Sequence, residues 1–191
     1  MVCGDGEVGA LAAEPTPQGR AVAELSELLG GQAAGFDPAA IATGFSTDNR
    51  QISPGDLFIA IKGARADGHD FVVEAMAAGA VGAIVERPVS VPHILVRNVV
   101  ESLADMGGAL RARFTCPVVG ITGSSGKTST KELLAAALSP LGEILKSEGN
   151  RNTEYTSPLI WASDAAKDAK AAVVEMALAH AIGNAVSAKF P

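Results

Sequence analysis

The chain has 191 residues, 48% of them hydrophobic and 19% charged, with a formal net charge of -6 and a pI near 5.0. That balance excludes a disordered chain, and the acidity argues against a nucleic-acid partner, because such binders neutralise phosphates with a basic patch. No stretch approaches the roughly 18 to 20 uninterrupted apolar residues of a membrane-spanning helix. Cys3 and Cys116 show neither metal-ligand spacing nor a disulfide framework, and the first residues lack a secretory signal, so a reducing, cytoplasmic setting is expected.

Residues 1–19 mix Gly, Pro and acidic residues without periodicity, which predicts a poorly ordered leader. Val22, Leu25, Leu28 and Leu29 then recur at helical spacing and stop at Gly30 and Gly31, where glycine accepts the left-handed conformation that ends a helix. Pro54, Gly55 and Asp56 read as a turn into an apolar strand at 57–61. Residues 70–79 read as a helix, and the short β-branched runs 82–85 and 93–96 as strands separated by Pro88 and Pro92. Leu103, Met106 and Leu110, spaced by three and four, make 100–113 a helix that leads out of a small α/β unit covering 20–113.

After residue 113 the pattern changes to strand (117–122), glycine loop, helix (128–138), strand (143–145), loop, helix and strand (171–175). Such alternation predicts a parallel sheet covered by helices. A doubly wound nucleotide domain has about five or more parallel strands, and about three are countable before Pro191. Residues 114–191 therefore read as the start of a phosphate-loop, parallel-sheet domain, cut short.

The strongest chemical signal is VVGITGSSGKTSTKE, residues 118–132, where an apolar strand runs into a glycine-rich turn and then a helix. Gly123 and Gly126 let the backbone curl so that successive N–H groups, among them those of Ser124, Ser125 and Ser129, face one anion, with the positive end of the helix dipole behind them. Lys127 reaches the β- and γ-phosphates as a point charge, and Thr128 offers a hydroxyl to Mg2+. The general pattern asks for glycine five places before Gly126, where Ile121 stands; the glycines here are Gly120, Gly123 and Gly126. By itself this predicts ATP or GTP and leaves the reaction open.

The loop continued as GSSGKTSTKE resembles the central domain of the Mur ligases, which extend the peptide of the bacterial cell-wall precursor. Three further segments follow in the family's order: STDNRQISPGDLFIAIKGARADGHDF (46–71), EGNRNTEYTSPL (148–159) and VVEMALAHAIG (173–183). Together they favour the member that adds D-alanyl-D-alanine, and the resemblance covers about residues 22–191. It implies recognition of the UDP-N-acetylmuramoyl-peptide by Asp48, Arg50, Lys62, Gly63, Asp67, Gly68 and His69. It also implies a substrate loop at Asn150 and Asn152, Lys127 and Glu175 as catalytic groups, and Mg2+ held by Thr128 and Glu175. ATP then phosphorylates the precursor's carboxylate and the amine of D-alanyl-D-alanine attacks the acyl phosphate. Missing strands of the central domain and a whole C-terminal domain are implied too, so a fragment of a monomeric enzyme with little turnover of its own is expected. By local pattern alone, Asp48 to Arg50 form a turn and His69 lies at the surface.

The sequence departs from the family's pattern at Asn49, Thr153, Thr156, Ile160 and Asn184. A β-branched residue where the family has glycine, as at Thr156, is strained if the backbone needs positive φ. Two other readings stand beside the first: a nucleotide- or UDP-sugar-binding module without turnover, and the sibling ligase that adds the third residue.

Overall fold

The computed structural model describes residues 19–63, 66–147, 153 and 156–176. The chain opens with β1 (Arg20–Ala21), α1 (Val22–Leu28), β2 (Gln32–Ala34), β3 (Ile41–Ala42), β4 (Gly44–Ser46) and β5 (Asp56–Ile59). Next come α2 (Val72–Ala77), β6 (Gly82–Val85), β7 (His93–Leu95) and α3 (Val99–Arg113). α1 buries Val22 and Leu25 on one face and ends at Gly30, whose φ of 61° is the left-handed stop its sequence called for.

Five strands form the first sheet in the order β2-β7-β6-β5-β4, parallel throughout except for β2, which runs antiparallel to β7. All four residues of both β5 and β6 are buried, as strands covered on two faces must be. β1 and β3 make a separate antiparallel pair. Strands β1 to β4 are absent from the sequence-based expectation, which found only the three apolar runs now seen as β5, β6 and β7. The helix expected over 70–79 is shorter, because its first turn is a 3-10 turn (Gly68–Phe71) bent by the Asp67 side chain accepting from His69 N–H.

The second sheet is parallel and three-stranded: β8 (Val118–Ile121), β9 (Ile144–Lys146) and β10 (Ala171–Glu175), with β10 in the middle. β10 is buried along its whole length, consistent with its central place. α4 (Lys127–Leu138) connects β8 to the segment before β9 and packs on β10, while a 3-10 turn (Ser157–Ala162) and α5 (Ala165–Asp168) precede β10.

α3 is more than a lead-out. Its N-terminus is capped by Asn98 Oδ1 accepting from Glu101 N–H at 3.0 Å, and it packs against both α1 and the 157–162 turn. The second contact depends on Gly107, where a Cβ would lie 2.5 Å from Pro158 Cβ. One apolar cluster consequently runs from Val22 and Leu25 through Leu103 and Met106 to Trp161 and Val174. Trp161 is clasped by Phe114, with ring centroids 5.4 Å apart, and by the Arg111 guanidinium over its face.

Candidate phosphate-binding site

β8 delivers the chain to the carboxyl edge of the second sheet, where open parallel α/β sheets bind ligands. There the backbone turns through Gly123 at φ 146° and Gly126 at φ 75°, both in the region that favours glycine, and Gly126 is the N-cap residue of α4. A Cβ on Gly126 would meet nothing within 4 Å, so glycine is needed there for its dihedral and not for room. Ser124 and Ser125 span the loop, and Lys127, Thr128 and Ser129 form the first turn of α4. Lys127 Nζ donates back across the loop to Gly123 O at 2.9 Å.

Glu175 ends β10 directly beside this loop, because it stands in register with Ile121 and Met176 N–H donates to Ile121 O at 2.9 Å. The residue is 4% exposed, and its Oε2 accepts from Thr128 Oγ1 at 3.1 Å. Two oxygen-bearing side chains from different elements thus converge behind the loop. Two neighbours were missed in the sequence. Ser147 Oγ, just after β9, accepts from Glu175 N–H at 3.0 Å. Lys131 places Nζ 3.6 Å from Glu175 Oε2 and is fully buried. Ser147 gives no sequence signal, whereas Lys131 shares the Thr128 face of α4 at a spacing of three.

The residues assigned to precursor recognition sit at the carboxyl edge of the first sheet, in two groups. After β4, Asp48 caps a 3-10 turn (Asn49–Gln51) and takes a bidentate pair of bonds from the Arg50 guanidinium at 2.9 and 2.7 Å. That guanidinium and the Arg50 N–H hold the Asp48 carboxyl down at about 2. Asn49, one of the departures, ties this turn to α2 through Glu74 Oε2 at 2.7 Å.

After β5, Lys62 and Asp67 form an isolated antiparallel bridge and Gly63 N–H donates to Ala66 O at 2.9 Å, closing a tight loop. Gly68 must be glycine, since a Cβ there would lie 2.7 Å from Ile61 N. His69 corrects the expectation of a surface residue: its side chain is 3% exposed and both ring nitrogens are engaged. Nδ1 lies 2.6 Å from Asp67 Oδ1, and Nε2 accepts from Glu86 N–H at 2.9 Å. A ring so committed serves the shape of the loop and has no nitrogen left for a ligand. Asp67 also takes Arg87 at 3.0 Å; the His69 N–H, the His69 ring and then Arg87 hold its carboxyl at about 2.

Asn150, Asn152 and Asn184 lie outside the described residues. Thr156 is unstrained, with φ at -101°, and the described residues include no positive-φ residue other than glycine. Its hydroxyl exchanges bonds with Thr153 across the start of the 157–162 turn, Thr153 N–H donating to Thr156 Oγ1 at 3.1 Å. No helix among the described residues is long and apolar enough to cross a membrane.

A strand, a twice-left-handed glycine loop, a helix starting Lys-Thr and an acidic residue ending the neighbouring strand define a phosphate-loop α/β protein. Residues 42–118 match the model for the Mur ligase family, catalytic domain, and residues 121–190 that for the Mur ligase middle domain. The chain belongs to the Mur ligase family. It is 40% identical over 166 residues to the UDP-N-acetylmuramoyl-tripeptide--D-alanyl-D-alanine ligase of Mycobacterium bovis, covering 72% of this chain and 32% of that one. Among solved structures it resembles MurF from Acinetobacter baumannii (TM-score 0.74, 32% identity, 85% of this chain and 36% of that one). It also resembles the Thermotoga maritima MurF ligase in complex with ADP (TM-score 0.59, 40% identity, 71% of this chain and 32% of that one). The chain thus spans about a third of the length of the relatives it matches.

Proposed function

We propose that these residues supply the nucleotide-binding loop and the precursor-binding unit of an ATP-dependent amide-forming ligase. Its reaction joins D-alanyl-D-alanine to UDP-N-acetylmuramoyl-tripeptide, in the cytoplasm where ATP is available, during assembly of the cell-wall precursor. The observation that carries this is the Thr128 Oγ1 to Glu175 Oε2 pairing at 3.1 Å, directly behind the left-handed Gly126 and Lys127. A hydroxyl and a carboxylate are hard oxygen donors of the kind Mg2+ prefers alongside nucleotide phosphates, so the residues present fit that ion. When bound, Mg2+ supplies charge to offset that of the phosphates.

The chain's own residues do the rest. The N–H groups of the 123–129 turn and the positive end of α4 orient the phosphates. Lys127 exchanges its bond to Gly123 O for one to phosphate, which places a cation where negative charge develops as the phosphoryl group moves to the precursor's carboxylate. On the first sheet, Arg50 and Lys62 are the cations suited to the UDP diphosphate, with Asp48 orienting Arg50 and the Asp67, Gly68 and His69 loop fixing the approach of Lys62 and Gly63. Asn150 and Asn152 keep their motif-based assignment to the substrate loop. We divide the chain at 113/114 into precursor-binding and phosphate-binding units, packed through α3. Ligation is proposed for these residues within the full length of such a relative; for the 191-residue chain by itself, the proposal is binding.

Calorimetric titration of the chain with Mg·ATP, beside Lys127→Ala, tests the proposal. Expected is measurable binding that the substitution weakens by at least about tenfold, the worth of one charge-assisted bond. A folded chain that binds no nucleotide, or binds it equally in both forms, refutes it. UDP-N-acetylmuramoyl-tripeptide is the next ligand to titrate.

A further inference from the structure

Lys131 is a buried charge that the phosphate-binding role leaves unused. It is 0% exposed, and lysine is almost never fully buried unless paired. Its Nζ lies 3.6 Å from Glu175 Oε2, the oxygen that also accepts the Thr128 hydroxyl, and 3.7 Å from Glu132 Oε1. Glu132 in turn pairs with Lys146 on β9, and that bond, ahead of the charge of Lys131, keeps its carboxyl below the usual range. Glu175, Lys131, Glu132 and Lys146 therefore form a run of alternating charge, two of each sign, from β10 through α4 to β9.

We propose that Lys131 is a positioning residue, an internal cation that holds the Glu175 carboxylate against Thr128 and makes divalent-metal binding depend on nucleotide. This rests on the nucleotide and magnesium site proposed above. Ser147 fixes the backbone of Glu175, and Lys131 and Thr128 meet the same oxygen of its carboxylate. A metal ion drawn to that oxygen alone meets an ammonium already sharing it, in a place shielded from water where like charges oppose each other strongly. Nucleotide phosphates bring the negative charge that lets both cations remain. Metal and nucleotide then bind with positive coupling, each raising the affinity for the other by the same factor.

The test is calorimetric titration of Mn2+ into the 191-residue chain with and without saturating ADP, repeated on Lys131→Gln, Lys131→Met and Lys131→Arg, with a thermal transition recorded for each. Expected for a neutral variant is Mn2+ binding without nucleotide that is about tenfold tighter, and a coupling factor about tenfold smaller, within the usual range of such couplings. Lys131→Arg keeps the charge and should keep the wild-type coupling. A role in packing alone would lower the thermal transition and leave the coupling factor unchanged. Wild-type coupling in a folded neutral variant overturns the proposal while the nucleotide site stands. Should both neutral variants lose their transition, Lys131→Arg decides: retained coupling supports the role of charge, and lost coupling overturns it. Failure of the unaltered chain to bind ADP with Mn2+ overturns the nucleotide site and this proposal together.

Discussion

Gly107 and Gly108 stand side by side in the middle of α3, and the structure assigns them opposite responses to alanine. Glycine within a helix costs about 0.8–1.0 kcal/mol relative to alanine, a gain open to either substitution. At Gly108, which is exposed, a Cβ would meet nothing within 4 Å, so the full gain of about 1 kcal/mol is expected. At Gly107 the same Cβ would lie 2.5 Å from Pro158 Cβ and 2.9 Å from Pro158 Cα. Contact at van der Waals distance needs about 3.5–4.0 Å, and Pro158 sits at the start of a turn whose Leu159 and Trp161 are buried, so it cannot give way alone. Overpacking of this kind costs about 1–3 kcal/mol. Gly107→Ala should therefore be neutral to about 2 kcal/mol less stable than the parent, and about 1–3 kcal/mol less stable than Gly108→Ala. Urea unfolding of the three chains measures this as shifts in midpoint at constant slope. Equal stabilisation by both substitutions would refute the close packing of α3 on the 157–162 turn.

Two further outcomes follow from the sites. Gly126→Ala places a side chain at φ 75° with no contact to relieve or worsen it, so about 1–2 kcal/mol of backbone strain is expected. If the loop keeps its shape the loss is read in urea unfolding; if it relaxes, nucleotide affinity falls by about 5- to 30-fold, and no change in either assay would contradict the left-handed corner. Asp67 has a folded pKa of about 2, below its ordinary 3.8, so the stability its charge confers is present above about pH 4 and lost as the pH falls toward 2. Asp67→Asn should accordingly differ most from the parent at neutral pH and converge on it in acid. A stability difference that stayed constant from pH 7 to pH 2.5 would argue against the bonds from the His69 N–H, the His69 ring and Arg87 that hold this carboxylate.

What the sequence made legible is what burial writes into it. β6, and β5 and β10 apart from the acidic residue at one end of each, are continuous apolar runs because both faces are covered, and α3 shows its inward stripe of Leu103, Met106 and Leu110. β2 carries no such mark: its three residues are all exposed, and backbone pairing with β7 is what makes it a strand. The two-residue strands β1 and β3 are likewise too short for any period to register. His69 was misplaced for a tertiary reason. The Asp-Gly-His triplet reads as a surface turn until Glu86, 17 residues on, donates its N–H to the far ring nitrogen. Lys131 misleads in the opposite way, since a lysine on a helix is normally solvated, and the carboxylates of Glu132 and Glu175 beside it help to make its burial tolerable.

The candidate residues among those described gather at two strand edges for a reason of topology. In a parallel sheet every crossover returns the chain to the same end, so successive strands release their loops together at the carboxyl edge. β4 releases Asp48 and Arg50, β5 the Lys62 to His69 loop and β6 the Glu86 and Arg87 pair that braces it. β8 releases the glycine loop, β9 Ser147 and β10 Glu175. Neither edge by itself sets where the other lies. That relation is carried by α3, which follows β7, packs on α1, and meets the turn before β10 through Gly107 and Pro158, and by Arg20 Nε, which donates to Ala162 O at 3.1 Å. A substitution at Gly107 that shifted this joint would leave the glycine loop intact, because its glycines, Thr128 and Glu175 all belong to the second sheet and its helix. Nucleotide affinity should thus survive in Gly107→Ala even where stability falls, and a parallel loss of both would mean that the two units are not separable at α3.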